Sequence, residues 1–249
     1  MTESESQAST DGPLSGERVR HGTGVNSTRA FPTESYPDNL DPFVLFEQFY
    51  IDPDKGFPMH PHRGFEIVSY MIEGGMEHED SLGVANTAYE NDAMRITTGS
   101  GIRHSEFPAD GQACTGLQLW VNLPQAKKDT EPDYGDATAD ALPTAEQGGA
   151  TITTVIGEGS PISLHTPMEY LDVSVADAWT WSVPAEWSGF LYGVSGSGTV
   201  AGQSFTDGDF LPATDSRSVT LQSDESLRVV AVSGRPHGEP IRQRGPYVL

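Results

Sequence analysis

The sequence predicts an all-β protein made of two antiparallel barrels in tandem. Short β-prone runs recur along the chain between clusters of Gly, Pro, Asn and Asp. Apolar residues make up only 36%, while Gly numbers 27 and Pro 18, which suits many short strands and turns better than a helical bundle. The second half also echoes the strand-and-turn order of the first. At 249 residues there is enough chain for one large core or two modest ones.

Taken in order, residues 1–28 are Ser, Thr, Glu, Gly and Asp with almost no apolar anchor, and are expected to form a disordered tail. The first apolar run, 39–50, enters through Asp41-Pro42 and reads as a strand. After the Gly56–Arg63 stretch, 65–72 reads as a strand buried on both faces. Glu73-Gly74-Gly75 turns the chain into a more polar return strand at 76–81. Asn91-Asp92 turns it into 93–98, and Gly99-Ser100-Gly101 into a strand carrying His104 and Glu106. In 116–123, Leu117, Leu119, Val121 and Leu123 alternate onto one face. The loop-like stretch 126–149 lacks periodicity and is expected to link an N-terminal barrel, 29–125, to a C-terminal barrel, 150–249. Residues 190–198 resemble the strand and turn at 69–75, and Asp207 to Phe210 resembles Asn91 to Met94. Twelve residues after Asp92 stands His104; twelve after Asp209 stands Leu221. Residues 183–188, ahead of the second turn, contain no histidine, so the second copy is expected to keep the scaffold without the ligands.

Charge narrows the function. The chain carries 36 acidic residues against 14 basic ones, a net charge of −22, and its lysines are Lys55, Lys127 and Lys128. The acids are spread rather than blocked, which reads as a property of the whole surface in a salt-rich cytoplasm that screens self-repulsion. A direct nucleic-acid ligand is excluded by the lack of a basic stripe. No run of about 18 apolar residues is present to span a membrane. The first 24 residues lack an apolar signal core, so a cytoplasmic location is expected. Cys114 is alone and reads as a small packed residue.

Two stretches carry the chemistry. His60-Pro61-His62 and His104-Ser105-Glu106 each place two ligand-type residues one apart. In a strand, residues i and i+2 point to the same side, so each pair converges. Three imidazoles and a carboxylate suit a divalent first-row transition metal. Glu66 shares strand parity with His60 and His62, so it competes with Glu106 for the fourth position. His78, Glu79 and Asp80 read as wall or surface residues, with His78 placed to hydrogen-bond near the site, and His21, His165 and His237 have no ligand-like neighbours. Arg63 and Arg103 read as strand-bracing cations. Phe57, Phe65, Phe107 and Trp120 read mainly as core, with Phe57 and Phe107 placed to line a pocket mouth.

His60-x-His62-x-x-x-Glu66 followed by Gly74 resembles the first motif of the cupin superfamily. The fuller set resembles the pirin family specifically: Asp41-Pro42-Phe43, the run 60–66, His78 to Ser81, Gly101 to Glu106 and Gly116 to Leu123, with an ending at Ser233 to Pro236 and Gly245 to Val248. The resemblance covers about residues 29–249. It implies a bicupin with one iron site in the N-terminal barrel, held by the residues matching His60, His62, His104 and Glu106, which leaves Glu66 to orient a histidine. Family members continue past the match to Gly245-Pro246-Tyr247-Val248 into a helical segment, whereas the sequence here ends at Leu249. Some members resemble quercetin 2,3-dioxygenases, and eukaryotic ones are described as transcription cofactors. The expected cofactor is Fe(2+), with Ni, Mn, Co and Zn compatible with the same donors. The expected partners are an aromatic or enolic small molecule and dioxygen, with Glu106 or Glu66 taking the substrate proton. A regulatory reading would add a protein partner.

Overall fold

A computed structural model describes residues 12–214 and 217–249. The strands of the first half are β1 (Leu14–Ser15), β2 (Glu17–Arg20), β3 (Val25–Phe31), β4 (Phe43–Ile51), β5 (Phe57–His62), β6 (Phe65–Glu73), β7 (Gly75–Asp80), β8 (Ala85–Tyr89), β9 (Ala93–Thr97), β10 (Ile102–Pro108), β11 (Cys114–Asn122) and β12 (Asp133–Ala137). The second half adds β13 (Thr144–Gln147), β14 (Ala150–Ile156), β15 (Met168–Val175), β16 (Ala178–Ser182), β17 (Ser188–Val200), β18 (Gln203–Thr206), β19 (Asp209–Thr214) and β20 (Ser218–Gly234), then the short pair β21 (Gln243–Arg244) and β22 (Tyr247–Val248). Among the described residues no helix is long and apolar enough to cross a membrane.

The N-terminal barrel is two sheets facing each other. One has seven strands in the order β12-β9-β6-β11-β4-β3-β2, the other four in the order β5-β10-β7-β8. The C-terminal barrel is a nine-stranded sheet around the path β1-β19-β17-β20-β15-β14-β13. The fold is thus the all-β tandem that the strand spacing predicts.

The alternation in β6 and β11 explains why the barrels pack as they do. Val68, Tyr70 and Ile72 of β6, with Leu117, Leu119 and Val121 of β11, point outward into the largest apolar cluster. That cluster is shared with the C-terminal sheet through Tyr170, Phe190, Tyr192, Phe210, Val230 and Val232. Phe190 is its hub: its ring lies 5.1 Å from Phe31, 5.5 Å from Phe43 and 4.9 Å from Phe46. Each such aromatic pair adds about 0.5–1.5 kcal/mol beyond area burial. At the edge of this interface Arg228 grips both carboxylate oxygens of Asp172, at 3.0 and 2.7 Å, and Tyr70 Oη donates to Asp172 at 2.9 Å. The C-terminal barrel interior is filled by Trp179, Trp181, Leu191, Phe205, Leu211 and Leu221 among others. Leu221, the counterpart of His104 in the repeat spacing, is part of that packed core.

Two expectations about segment order are corrected. The tail expected over 1–28 does not hold for residues 12–28; residues 1–11 lie outside the described part. Leu14–Ser15 pairs with β19 of the C-terminal sheet, and β2 and β3 extend the N-terminal one. β1 and β2 are edge strands held by ladder hydrogen bonds without an apolar face of their own, whereas β3 lies between β2 and β4 and buries Val25, Ala30 and Phe31. The expected linker 126–149 instead supplies β12 to the N-terminal sheet and β13 to the C-terminal one. The C-terminus also returns to the first barrel. Val248 is buried with Val44, Phe65 and Ile102, and Lys128 Nζ donates to the carbonyls of Gly64 at 2.7 Å and Val248 at 3.2 Å.

Because the two barrels share one core, Phe190→Ala is expected to cost about 3–5 kcal/mol and to lower the urea midpoint of both halves in a single transition. Loss of the C-terminal barrel alone, with N-terminal signals unmoved, would count against the shared core.

Candidate metal centre

The four-stranded sheet builds the site by register. Its central strand β10 sits between β5 and β7, and His104 lies directly opposite His60 on one side and Asp80 on the other. Glu106 lies directly opposite His78. Directly opposed residues in an antiparallel pair share a face, and so do i and i+2. His60, His62, His78, His104 and Glu106 therefore all point into the barrel.

The ligand atoms of His60, His62 and His104 lie within 4.8 Å of one another, and so do those of His78, His104 and Glu106. Two backbone carbonyls set the tautomers of the first pair. His60 Nδ1 donates to the Pro58 carbonyl at 2.8 Å and His62 Nδ1 to the Pro246 carbonyl at 3.1 Å. A carbonyl only accepts, so each Nε2 is left as the lone-pair nitrogen a metal needs. Burial, reinforced by the neighbouring imidazoles, holds His104 down to about 2. Burial is also the main cause for His62, which is held down to about 4. Both rings are neutral near pH 7. Burial raises the Glu106 carboxyl, against the pull of His60 and His78.

Both ring nitrogens of His104, the Nδ1 of His78 and the Oε1 of Glu106 are buried with no hydrogen-bond partner. Unpaired buried polar atoms are costly and rare. Each ring offers one ligand nitrogen, and with His60 and His62 on one side of His104 and His78 and Glu106 on the other, the donors fit a divalent transition metal. Among the described residues no comparable group of donors lies in the C-terminal barrel.

The facing wall comes from β11. Gln118 and Trp120 occupy the face opposite to Leu117 and Leu119, so they look into the barrel. Trp120 Nε1 donates to Gln118 Oε1 at 3.1 Å, and Gln118 Nε2 donates to Glu106 Oε2 at 3.5 Å. The Trp120 ring lies 5.2 Å from His62 and 4.3 Å from Phe65. A cavity of about 370 Å³ opens onto His60, His62 and Glu106, walled by Leu45, Phe57, Trp120 and Pro246.

Glu66 is not brought to this cluster, and its expected roles as competing ligand, proton acceptor and brace for a metal-facing histidine are corrected. Gly64, at φ +88°, turns the chain between β5 and β6, so parity counted through it is lost. Glu66 shares the face of Val68 and Tyr70 and points toward the second half of the chain. Its carboxylate accepts from Thr97 Oγ1 at 2.8 Å and from the His165 backbone N–H at 2.9 Å. His78, expected as wall or surface, is fully buried and stacks on Tyr134 at 4.8 Å. Its alternation with Glu77 and Glu79 in a polar strand was the available signal. Phe57 lines the cavity as expected, while Phe107 faces away, one residue out of phase with Glu106. Arg63 pairs with Asp129 at 2.6 Å, and Arg103 reaches the Met59 carbonyl at 3.3 Å, both outside the cavity. His165 and His237 stay outside the cluster, whereas His21 lines the cavity.

Fold and site together define a tandem cupin-type protein with one candidate metal centre in its first barrel. Comparison with known proteins gives the family. The Pirin family model matches residues 24–121, and the model of the pirin C-terminal cupin domain matches residues 170–249. Pirin-like protein 2 of Arabidopsis thaliana is 38% identical over 226 residues, covering 84% of this chain and 70% of that protein. Human pirin is 36% identical over 224 residues, covering 85% and 77%. The crystal structure of a quercetin 2,3-dioxygenase from Acinetobacter baumannii superposes with a TM-score of 0.83 at 25% identity, covering 96% of this chain and 90% of that one. The chain belongs to the pirin family.

His60→Ala and His104→Ala are expected to retain less than about a tenth of the wild-type metal content after loading and desalting, whereas Glu66→Gln retains all of it. Metal analysis of the three variants checks this, and an empty Glu66→Gln protein would return Glu66 to the site. The metal-free protein is expected to lose stability as pH falls. Below the unfolded histidine value of about 6.5, the unfolded chain binds protons that the native one refuses. The loss runs to about pH 4 for His62 and about pH 2 for His104. Each contributes up to about 1.4 kcal/mol per pH unit within its window. Urea midpoints from neutral pH down to about pH 4, where the His62 contribution ends, measure the slope, and His104→Leu is expected to flatten it.

Proposed function

We infer that the protein is a metal-dependent dioxygenase of the quercetin 2,3-dioxygenase type, using iron(II) held by His60, His62, His104 and Glu106 to open an enolic or flavonol-type ring with dioxygen. The observation that carries this reading is the cavity of about 370 Å³ lying directly against His60, His62 and Glu106. That volume falls in the range of roughly 300–1,000 Å³ typical of small-molecule sites, and its walls include the flat ring of Trp120. A switch acting only through its surface has no use for such a chamber. The likeness to the Acinetobacter baumannii quercetin 2,3-dioxygenase in fold and length supports the same reading.

Iron at this position supplies Lewis acidity toward a substrate oxygen and the redox chemistry that dioxygen requires. The protein's own groups do the rest. His60 and His62 are oriented by the Pro58 and Pro246 carbonyls, so their donor atoms need no rearrangement. Phe57, Leu45 and Trp120 hold an aromatic ring and keep bulk water from it. Glu106, whose affinity for a proton is raised by burial, takes the proton of the substrate hydroxyl, and Gln118 fixes the direction of its second oxygen. Nickel, manganese, cobalt and zinc suit the same donors, so the metal is to be read by analysis of protein purified from its native host.

Iron-loaded protein mixed with quercetin without oxygen, then exposed to it, is expected to consume flavonol and dioxygen in equal amounts. His104→Ala is expected to do neither. Absence of both losses in metal-replete wild-type protein would remove quercetin-type substrates from consideration.

A further inference from the structure

The cavity has a second polar end. Arg29 of β3, Glu47 of β4 and Gln118 of β11 lie directly opposite one another across three adjacent strands. They therefore form a row on the inner face of the seven-stranded sheet, running from its edge toward Glu106. His21, just beyond β2, closes the row at the edge. All four line the same cavity as the candidate ligands.

Glu47 organises this end. It is 4% exposed and sits in an otherwise apolar run. Arg29 Nε and Nη2 donate to its Oε2 at 2.9 and 2.8 Å, Ser27 Oγ donates to Oε2 at 3.0 Å, and His21 Nε2 meets Oε1 at 2.9 Å. Burial pushes the carboxyl up, but His21 and Arg29 outweigh it and leave Glu47 below the ordinary carboxylate range. Three of these contacts saturate Oε2 and one occupies Oε1, so the 4% exposed carboxylate has little left to offer a ligand. What remains available are the remaining N–H groups of Arg29 and the second ring nitrogen of His21, which accepts when Nε2 donates to Glu47, so together they suit a hydroxyl. The Arg29 and His21 side chains keep 20% and 23% of their surface exposed. The His21 ring also packs edge-on against Phe57, 5.9 Å away, in the cavity wall. In a chain of net charge −22, a guanidinium fixed inside a cavity is a specific provision for an electron-rich ligand atom.

We propose that His21 and Arg29, positioned by Glu47, form a recognition subsite for an oxygen substituent at the far end of an aromatic ligand whose near end faces His60, His62 and Glu106. This rests on the small-molecule reading of the cavity given above and deepens it. The favoured ligand is a flat aromatic oxygenated at both ends, such as a polyhydroxylated flavonol, and a ring with one polar edge binds less well. Apolar walls between two polar ends select for both the length and the flatness of the ligand.

The test uses zinc-loaded full-length protein, in which binding is read by calorimetry without turnover. Two flavonols are compared: quercetin, and 3-hydroxyflavone, which keeps the 3-hydroxy-4-keto edge but lacks the remote hydroxyls. Wild-type protein is expected to prefer quercetin by at least about tenfold, the scale of a hydrogen bond to a charged group. In His21→Ala that preference falls to about twofold or less, with 3-hydroxyflavone affinity and zinc content unchanged. His21→Ala leaves Glu47 with Arg29 and Ser27, and Arg29→Lys serves as a second variant that keeps the charge but loses the fork. Thermal melts confirm that both variants are folded. An undiminished preference for quercetin in folded variants overturns the subsite while leaving the dioxygenase reading intact. Failure of wild-type protein to bind either flavonol overturns both.

Discussion

Every strand at the centre of the seven-stranded sheet is buried on both sides, and the pleat gives the two sides different work. In β11, Leu117, Leu119 and Val121 build the core shared by the two barrels, while Gln118 and Trp120 face the candidate metal centre. In β4, Phe43 and Phe46 meet Phe190 on one side, while Leu45 and Glu47 line the cavity on the other. The wall of the cavity is therefore as rigid as the interface behind it. A change on the Phe190 side displaces the backbone that carries Gln118 and Glu47, because close-packed interiors transmit strain.

Against that wall the four-stranded sheet brings polar groups that the fold alone does not satisfy. Burying His78, His104 and Glu106 with unpaired atoms is costly unless something else completes their coordination. The second barrel shows the alternative. Its interior is closed by Trp179, Trp181 and Leu221, and no comparable donor group appears there among the described residues. One scaffold thus serves as a chamber in the first half and as a packed support in the second. The C-terminal segment joins them, since the Pro246 carbonyl holds His62 and Val248 is packed beneath Phe65.

Much of this was legible. The His-x-His and His-x-Glu spacings mark their own faces, and the alternation in 116–123 marks one apolar face without saying what covers it. Other parts were illegible for definite reasons. Glu66 appeared to share a face with His60 and His62 because parity was counted through Gly64, where the chain turns from one sheet to the other. Residues 12–28 lack a strand signal because the edge strands β1 and β2 are held by backbone ladders, and the apolar anchors of β3 stand only at its two ends, Val25 and Ala30-Phe31. His78 alternates with Glu77 and Glu79, but all three are polar, so the alternation fixes its face without marking that face as buried. Glu47 is an acid inside an apolar run, and its partners Arg29 and His21 come from a segment with no local signal that would pair them with it.

The sequence by itself determined the all-β class, the tandem repeat, the family and the pairs of residues able to converge, because strand periodicity and ligand spacing are local properties. Only the tertiary structure decided which pairs share a chamber, because that depends on cross-strand register. His104 comes opposite His60, and Glu106 opposite His78, only when β10 is laid between β5 and β7. The second polar end of the cavity was decided in the same way. Arg29, Glu47 and Gln118 are far apart in the chain and become a row only through the pairing of three strands.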